Sequence, residues 1–178
     1  MTDFSIRNAL AADVPAIAAI YGDAVLTGTA SFEIEPPSEA EMAGRFASLS
    51  DGGFPYLVAE QAGRILGFGY AGPYRPRPAY RHTVEDSVYL AEAARGRGIG
   101  GALLRTLIEI SEARGFRQMI AVIGDSGHQA SIRLHKLAGF VLVGTFRDVG
   151  YKHGRWLDSI LMQRALGPGG ETPPSRQG

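Results

Sequence analysis

The glycine run Arg95-Gly96-Arg97-Gly98-Ile99-Gly100-Gly101 constrains the fold more than any other stretch, because it lies between a strand pattern and a helix pattern. Val84-Glu85-Asp86-Ser87-Val88-Tyr89-Leu90 alternates and is rich in β-branched and aromatic residues. Ile99, Ala102, Leu103, Thr106, Leu107, Ile110 and Ala113 instead recur at helical spacing. The run is therefore a loop that opens a helix. Glycines let backbone approach a ligand closely, and the free amides and positive dipole end of a helix attract phosphate. Glycines at a helix start cost roughly 1 kcal/mol each against good helix formers, so a turn that binds nothing gives them little reason to be there.

Gly96, Gly98 and Gly101 also spell the Gly-x-Gly-x-x-Gly fingerprint of dinucleotide-binding folds, with Asp125 about where a ribose-binding acid would lie. Against that spelling, Ala91 to Arg95 separates the strand from the glycines, and no run of further strand and helix units follows.

The rest of the chain reads as strand, two helices, three strands, helix, strand, helix and two strands. Phe4 to Asn8 is the first strand, and Asp13 with Pro15 starts the first helix. A long loop, Thr27 to Pro37, precedes a helix from Ser38 to Leu49 and suggests a lid or binding wall. Tyr56 to Glu60 and Ile65 to Ala71 flank a hairpin turn, and Pro73 to Pro78 is irregular. Met119 to Ile123, a helix His128 to Ala138, and strands Phe140 to Phe146 and Leu157 to Gln163 complete a single α/β domain over residues 1–166. Residues 167–178, rich in glycine and proline, are expected to be a disordered tail.

Lys plus Arg and Asp plus Glu are 18 each, so overall charge suggests no nucleic-acid partner. Without cysteine, disulfides, cysteine-ligated zinc and an acyl-cysteine intermediate are excluded. His, Asp and Glu show no metal-ligand spacing, and no nucleophile elbow is present, so neither metal nor serine-nucleophile chemistry is expected. No apolar run approaches the roughly 20 residues of a membrane span, and the N-terminus lacks a signal pattern. A cytoplasmic protein is expected.

The stretches TVEDSVYLAEAARGRGIGGALL, AVIG, SIRLHKLAGF and GYKHGRWLDSILMQ resemble the GNAT N-acetyltransferases, in particular the branch that acetylates phosphinothricin and methionine sulfone or sulfoximine. The resemblance covers the chain to about residue 165. It implies a GNAT fold: a mixed central sheet of about seven strands flanked by helices on both faces. It also implies acetyl transfer from acetyl-CoA to the α-amino group of a small amino-acid-like acceptor, without a metal, in a homodimer.

In such a site the pantetheine arm pairs with Val88, Tyr89 and Leu90, and pyrophosphate meets amides of Gly96, Gly98, Ile99, Gly100 and Gly101, with Arg95 and Arg97 adding charge. Glu85 takes the family's position for the general base; the residues alone leave it equally readable as an edge glutamate. The amide near Val88 is placed for the tetrahedral oxyanion. His135 stands where relatives place a proton donor or a residue that orients the site, and Asp86 is expected to make a structural contact. His128 replaces the asparagine that usually meets pantetheine, and Ser131 matches the family. Arg75 is suited to bind the acceptor's carboxylate, with Pro76 and Arg77 on the same wall and Phe32 over the side chain. The alternatives are an acyl-CoA-binding domain without catalysis, or an acetyltransferase for a protein N-terminus, a polyamine or an aminoglycoside. Arg75, Arg77 and Arg81 in the substrate loop favour an acid-bearing acceptor over a polycation.

Overall fold

Local chemistry sets most element boundaries. After β1 (Ser5–Asn8), Pro15 sits in the first turn of α1 (Val14–Thr27), where its missing N–H leaves no bond unmade. Ser38 starts α2 (Glu39–Asp51) by accepting a hydrogen bond from the Glu41 amide at 3.2 Å. Ala62 and Gly63 take positive φ angles of 48° and 78°, the two-residue turn whose twist suits a hairpin, and join β2 (Tyr56–Gln61) to β3 (Arg64–Pro73). The computed structural model describes residues 3–174.

The chain continues through β4 (Thr83–Leu90), α3 (Ile99–Ala113), β5 (Gln118–Gly124), α4 (Gln129–Leu137), β6 (Val141–Lys152) and β7 (Arg155–Ala165). The seven strands form one sheet in the order β1-β2-β3-β4-β5-β7-β6. Neighbours are antiparallel except β4 and β5, whose parallel pairing is reached through the α3 crossover. On one face, Val84 and Val88 of β4 pack with α3, α4 and the Met119, Ala121 and Ile123 side of β5. On the other, Tyr89, Phe68, Tyr56 and Val58 pack against α1 and α2.

One irregularity positions the site. β4 pairs with β5 only from Thr83 to Asp86, against Gln118 to Ala121. From Ser87 to Leu90 it pairs with β3 alone. The sheet is therefore split between two central strands, and backbone hydrogen-bonding groups line the split.

The expected elements are present, with three differences. β6 runs on past Phe146 to Lys152, because the ladder resumes after a register shift between Phe146 and Gly150 where Asp148 adopts φ +54°. β7 begins two residues early, joined to β6 by His153 and Gly154 at φ 52° and 75°. The tail, expected to be disordered, is turned back as far as it is described: Leu166 is fully buried, Gly169 donates to Leu166 O at 2.9 Å, and Arg117 Nε donates to Gly169 O at 2.8 Å. Those bonds satisfy backbone groups that a free tail would leave to water. Residues 175–178 of the tail lie outside the described residues.

Candidate active site

Gly96 and Gly98 adopt φ +75° and +81°, the left-handed region that strains any other residue, and Gly98 directly precedes α3. A Cβ at either position would project into open space, so these glycines are needed for backbone shape and for the face they leave bare. That face belongs to a cavity of about 580 Å³, which runs from the loop along Val88, Tyr89 and Leu90 to the split in the sheet. Arg95, Gly96, Gly98, Ile99, Gly100, Gly101, His128 and Ser131 complete the walls expected from the sequence. Arg97 is the exception, since its Nη2 donates to Gln61 Oε1 at 2.9 Å on the β2–β3 turn. A helix N-terminus, bare amides and the Arg95 guanidinium suit a phosphate group there.

Glu85 and Asp86 are neighbours on β4 that point to opposite faces. Glu85 lies level with Gly72, on the α1 and α2 side. Burial raises its carboxyl pKa, the Asp86 charge adds to the rise, and Arg75 opposes it. Arg75, exposed in the irregular segment after β3, stacks its guanidinium 4.9 Å from the centre of the Tyr74 ring. Pro76 and Arg77 follow it at the surface. Neither arginine makes an ion pair among the described residues.

His135 does not touch Glu85. Its side chain is buried on the other face, with Nε2 2.9 Å from Asp86 Oδ2 and Nδ1 2.8 Å from Ser131 O. A small cavity of about 60 Å³ at the split brings Asp86, Ser87 and Val88 together with Ile123, His128 and His135. His128 lines both cavities, and burial lowers its pKa, favouring a neutral ring.

Sequence reasoning left unassigned how the long first loop is held. Phe32 wedges its ring between Gly124 and Gly150, where a Cβ would come within 2.7 Å and 2.5 Å of it. Thr29 Oγ1 donates to Asp125 Oδ2 at 2.9 Å, and Arg155 Nη2 reaches the same oxygen at 2.5 Å. The buried Lys152 Nζ donates to Ser31 O at 2.8 Å, while Tyr21 hydroxyl and Ser31 Oγ lie 2.9 Å apart. The loop thus covers the larger cavity with Gly28, Thr29 and Ala30 and places Phe32 beyond its end. Arg155, with the Gly127 amide, holds the Asp125 carboxyl down to about 2, so this anchor is ionised throughout the physiological range.

A split mixed sheet with a glycine-rich helix start beside it defines the GNAT acetyltransferases, and the chain belongs to that family: the acetyltransferase (GNAT) domain family matches residues 6–161. Within the family, the chain is 55% identical over 162 residues to phosphinothricin N-acetyltransferase of Alcaligenes faecalis, covering 91% of this chain and 82% of that protein. It is 44% identical over 170 residues to L-methionine sulfoximine/L-methionine sulfone acetyltransferase of Pseudomonas aeruginosa, covering 95% and 98%. The crystal structure of a phosphinothricin acetyltransferase from Sinorhizobium meliloti in complex with AcCoA superposes with a TM-score of 0.96 at 50% identity, covering 99% of this chain and 95% of that one.

Because the loop roofs the cavity, Asp125→Ala is expected to raise the KM for acetyl-CoA about fivefold, the effect of losing a hydrogen bond worth roughly 1 kcal/mol. Steady-state kinetics at saturating acceptor measure it, and an unchanged KM would show that the anchor does not shape the roof.

Proposed function

We propose that the protein transfers acetyl from acetyl-CoA to the α-amino group of a small amino-acid-like acceptor of the phosphinothricin, methionine sulfoximine or methionine sulfone type, by direct attack. The observation that carries this reading is the placement of Glu85, a carboxylate with a raised pKa, on the strand whose next residues line the split. The acetyltransferase relatives, and the AcCoA held by the Sinorhizobium meliloti phosphinothricin acetyltransferase, support it.

Pantetheine would complete the ladder that β4 leaves open at Val88 to Leu90, as an added strand does. Amides of the glycine loop, with Arg95, would hold the pyrophosphate. The acceptor's ammonium must lose a proton before its nitrogen has a lone pair, and Glu85 takes that proton directly or through one water. Nitrogen then bonds to the thioester carbon, the Val88 amide donates to the oxyanion, and collapse breaks the C–S bond as the proton still carried by the cationic nitrogen passes to the departing thiolate, leaving a neutral amide and free CoA thiol. His135 places positive charge near the split as thiolate leaves. Arg75 holds the acceptor's carboxylate with two parallel hydrogen bonds, and Phe32 covers its side chain.

We further propose that the enzyme is a cytoplasmic homodimer. No described helix is long and apolar enough to cross a membrane. Val141, Val143, Phe146, Val149, Tyr151 and Trp156 leave an apolar band exposed on β6 and β7, larger than single scattered residues. Sedimentation showing only monomer at working concentration would remove the dimer.

Thiol release from acetyl-CoA against phosphinothricin, methionine sulfoximine, methionine sulfone, common amino acids, spermidine and an aminoglycoside tests the reaction. Turnover confined to α-amino acids is expected, and Arg75→Ala should raise the acceptor KM by about 10- to 100-fold through loss of a charged bidentate contact. Turnover of the polycations alone would replace this reading with an acetyltransferase for another amine. Acetyl-CoA binding with no turnover of any acceptor would favour an idle acyl-CoA-binding domain.

A further inference from the structure

A carboxylate enclosed between a sheet and a helix is costly unless charge and hydrogen bonds offset its lost hydration. The Asp86 side chain is 1% exposed. Its Oδ2 lies 2.9 Å from His135 Nε2, and the other nitrogen of that ring, Nδ1, lies 2.8 Å from Ser131 O. A carbonyl oxygen only accepts, so Nδ1 carries a hydrogen, and an ionised carboxylate only accepts, so Nε2 carries another. Asp86 Oδ1 is buried and has no partner among the described residues, and the same holds for His128 Nδ1. Both residues line the 60 Å³ cavity at the split, and Asp86 lies two residues before Val88, whose amide is assigned to the oxyanion.

We infer that Asp86 is a positioning residue for acyl transfer: its ion pair fixes His135 as an imidazolium with both N–H groups bonded, beside the split in the sheet. This rests on the acetyl-transfer reading given above. The pair has two consequences. With no free lone pair, His135 cannot be the base that deprotonates the acceptor, which leaves that task to Glu85 on the opposite face. The positive ring also shields the departing thiolate from the Asp86 charge. Without the ring, Asp86 would present a bare carboxylate to a leaving anion in a site shielded from water, where repulsion is strong.

The charged and titratable groups around the pair are few. Glu85 is next to Asp86 in the chain but faces the other way. His128 directly precedes α4 and Lys136 lies in its last turn, and Arg164 reaches from β7 to donate to Ala138 O. β5 contributes only apolar residues there, Ala121 and Ile123. Burial is the largest single influence on His135 and opposes its charge, but the bond to Asp86, the Asp86 charge and the Ser131 carbonyl together raise the pKa above the ordinary 6.5. A raised histidine value means that the pair's contribution to stability is complete below pH 6.5 and fades as pH rises through the folded value.

The test uses the full-length protein and four forms: wild type, Asp86→Asn, His135→Gln and the double variant. Nitrogen and proton NMR of the His135 ring against pH should place the wild-type midpoint above 6.5. In Asp86→Asn the midpoint should fall by about one pH unit or more, a tenfold change in the protonation equilibrium. At neutral pH, kcat of Asp86→Asn should fall about tenfold, with the acetyl-CoA KM within about twofold, as expected when the lost interaction acts on the chemical step and not on ground-state binding. The double variant should turn over faster than His135→Gln, because removing the carboxylate relieves the repulsion that the single variant creates. An unmoved midpoint in Asp86→Asn, or a double variant no faster than His135→Gln, would overturn the inference. Failure of the acetyl-transfer reading looks different: no acceptor is turned over by any form, which removes the role in acyl transfer while the NMR midpoint still reports the pair.

Discussion

Glu85→Gln is expected to lower kcat by about 10²- to 10⁴-fold, the range a positioned general base contributes, and to leave the acetyl-CoA KM nearly unchanged. Glutamine keeps the shape of glutamate and cannot take a proton, so any loss is chemical. The same substitution should not lower the melting temperature. A carboxyl whose pKa is raised by burial is held in an environment that disfavours its charge, and the neutral amide avoids that cost. The wild-type rate should fall on the acid side through a midpoint above the ordinary glutamate value of 4.5, because the protonated base is inactive. Arg75→Ala removes the positive charge that opposes the rise and should move this midpoint upward. Full activity in Glu85→Gln would remove the general-base role.

Phe68→Ala is the largest stability effect expected. Its ring is fully buried, with centroids 6.0 Å from Tyr56, 6.5 Å from Tyr70 and 5.3 Å from Tyr89. Removing it leaves a hole under the sheet face that carries Glu85, at a cost of about 3–5 kcal/mol. For a domain of this size, calorimetry should show a melting temperature lower by about 6–20 °C. A drop of less than about 3 °C would mean that the aromatic stack closes over the gap.

Both effects trace to residues whose importance is uneven in the sequence. The glycine loop, the α3 periodicity and the β2–β3 hairpin were legible because each is written in neighbouring residues. Glu85 could be placed on its strand by alternation, but its role needed the family resemblance. Asp86 had no visible partner, since His135 lies 49 residues away on α4. Arg97 looked like a second phosphate contact, and only the folded β2–β3 turn shows that Gln61 holds it. The anchors of the first loop were hidden for the same reason: Thr29 and Asp125 are 96 residues apart, and Ser31 and Lys152 are 121 apart. Local pattern identified what each segment is, whereas long-range pairing decided what each side chain touches.

The open ladder on β4 makes this protein's folded state incomplete by itself. From Ser87 to Leu90, one side of a central strand offers its amides and carbonyls to solvent in the middle of the molecule. A ligand that bound there would be recognised by backbone as much as by side chains, and this part of recognition would survive most single substitutions. It would also act as a conditional eighth strand, stabilising the fold by about 2.7 kcal/mol at a concentration one hundred times its dissociation constant. Resistance to heat and proteolysis would then report the metabolic supply of the donor.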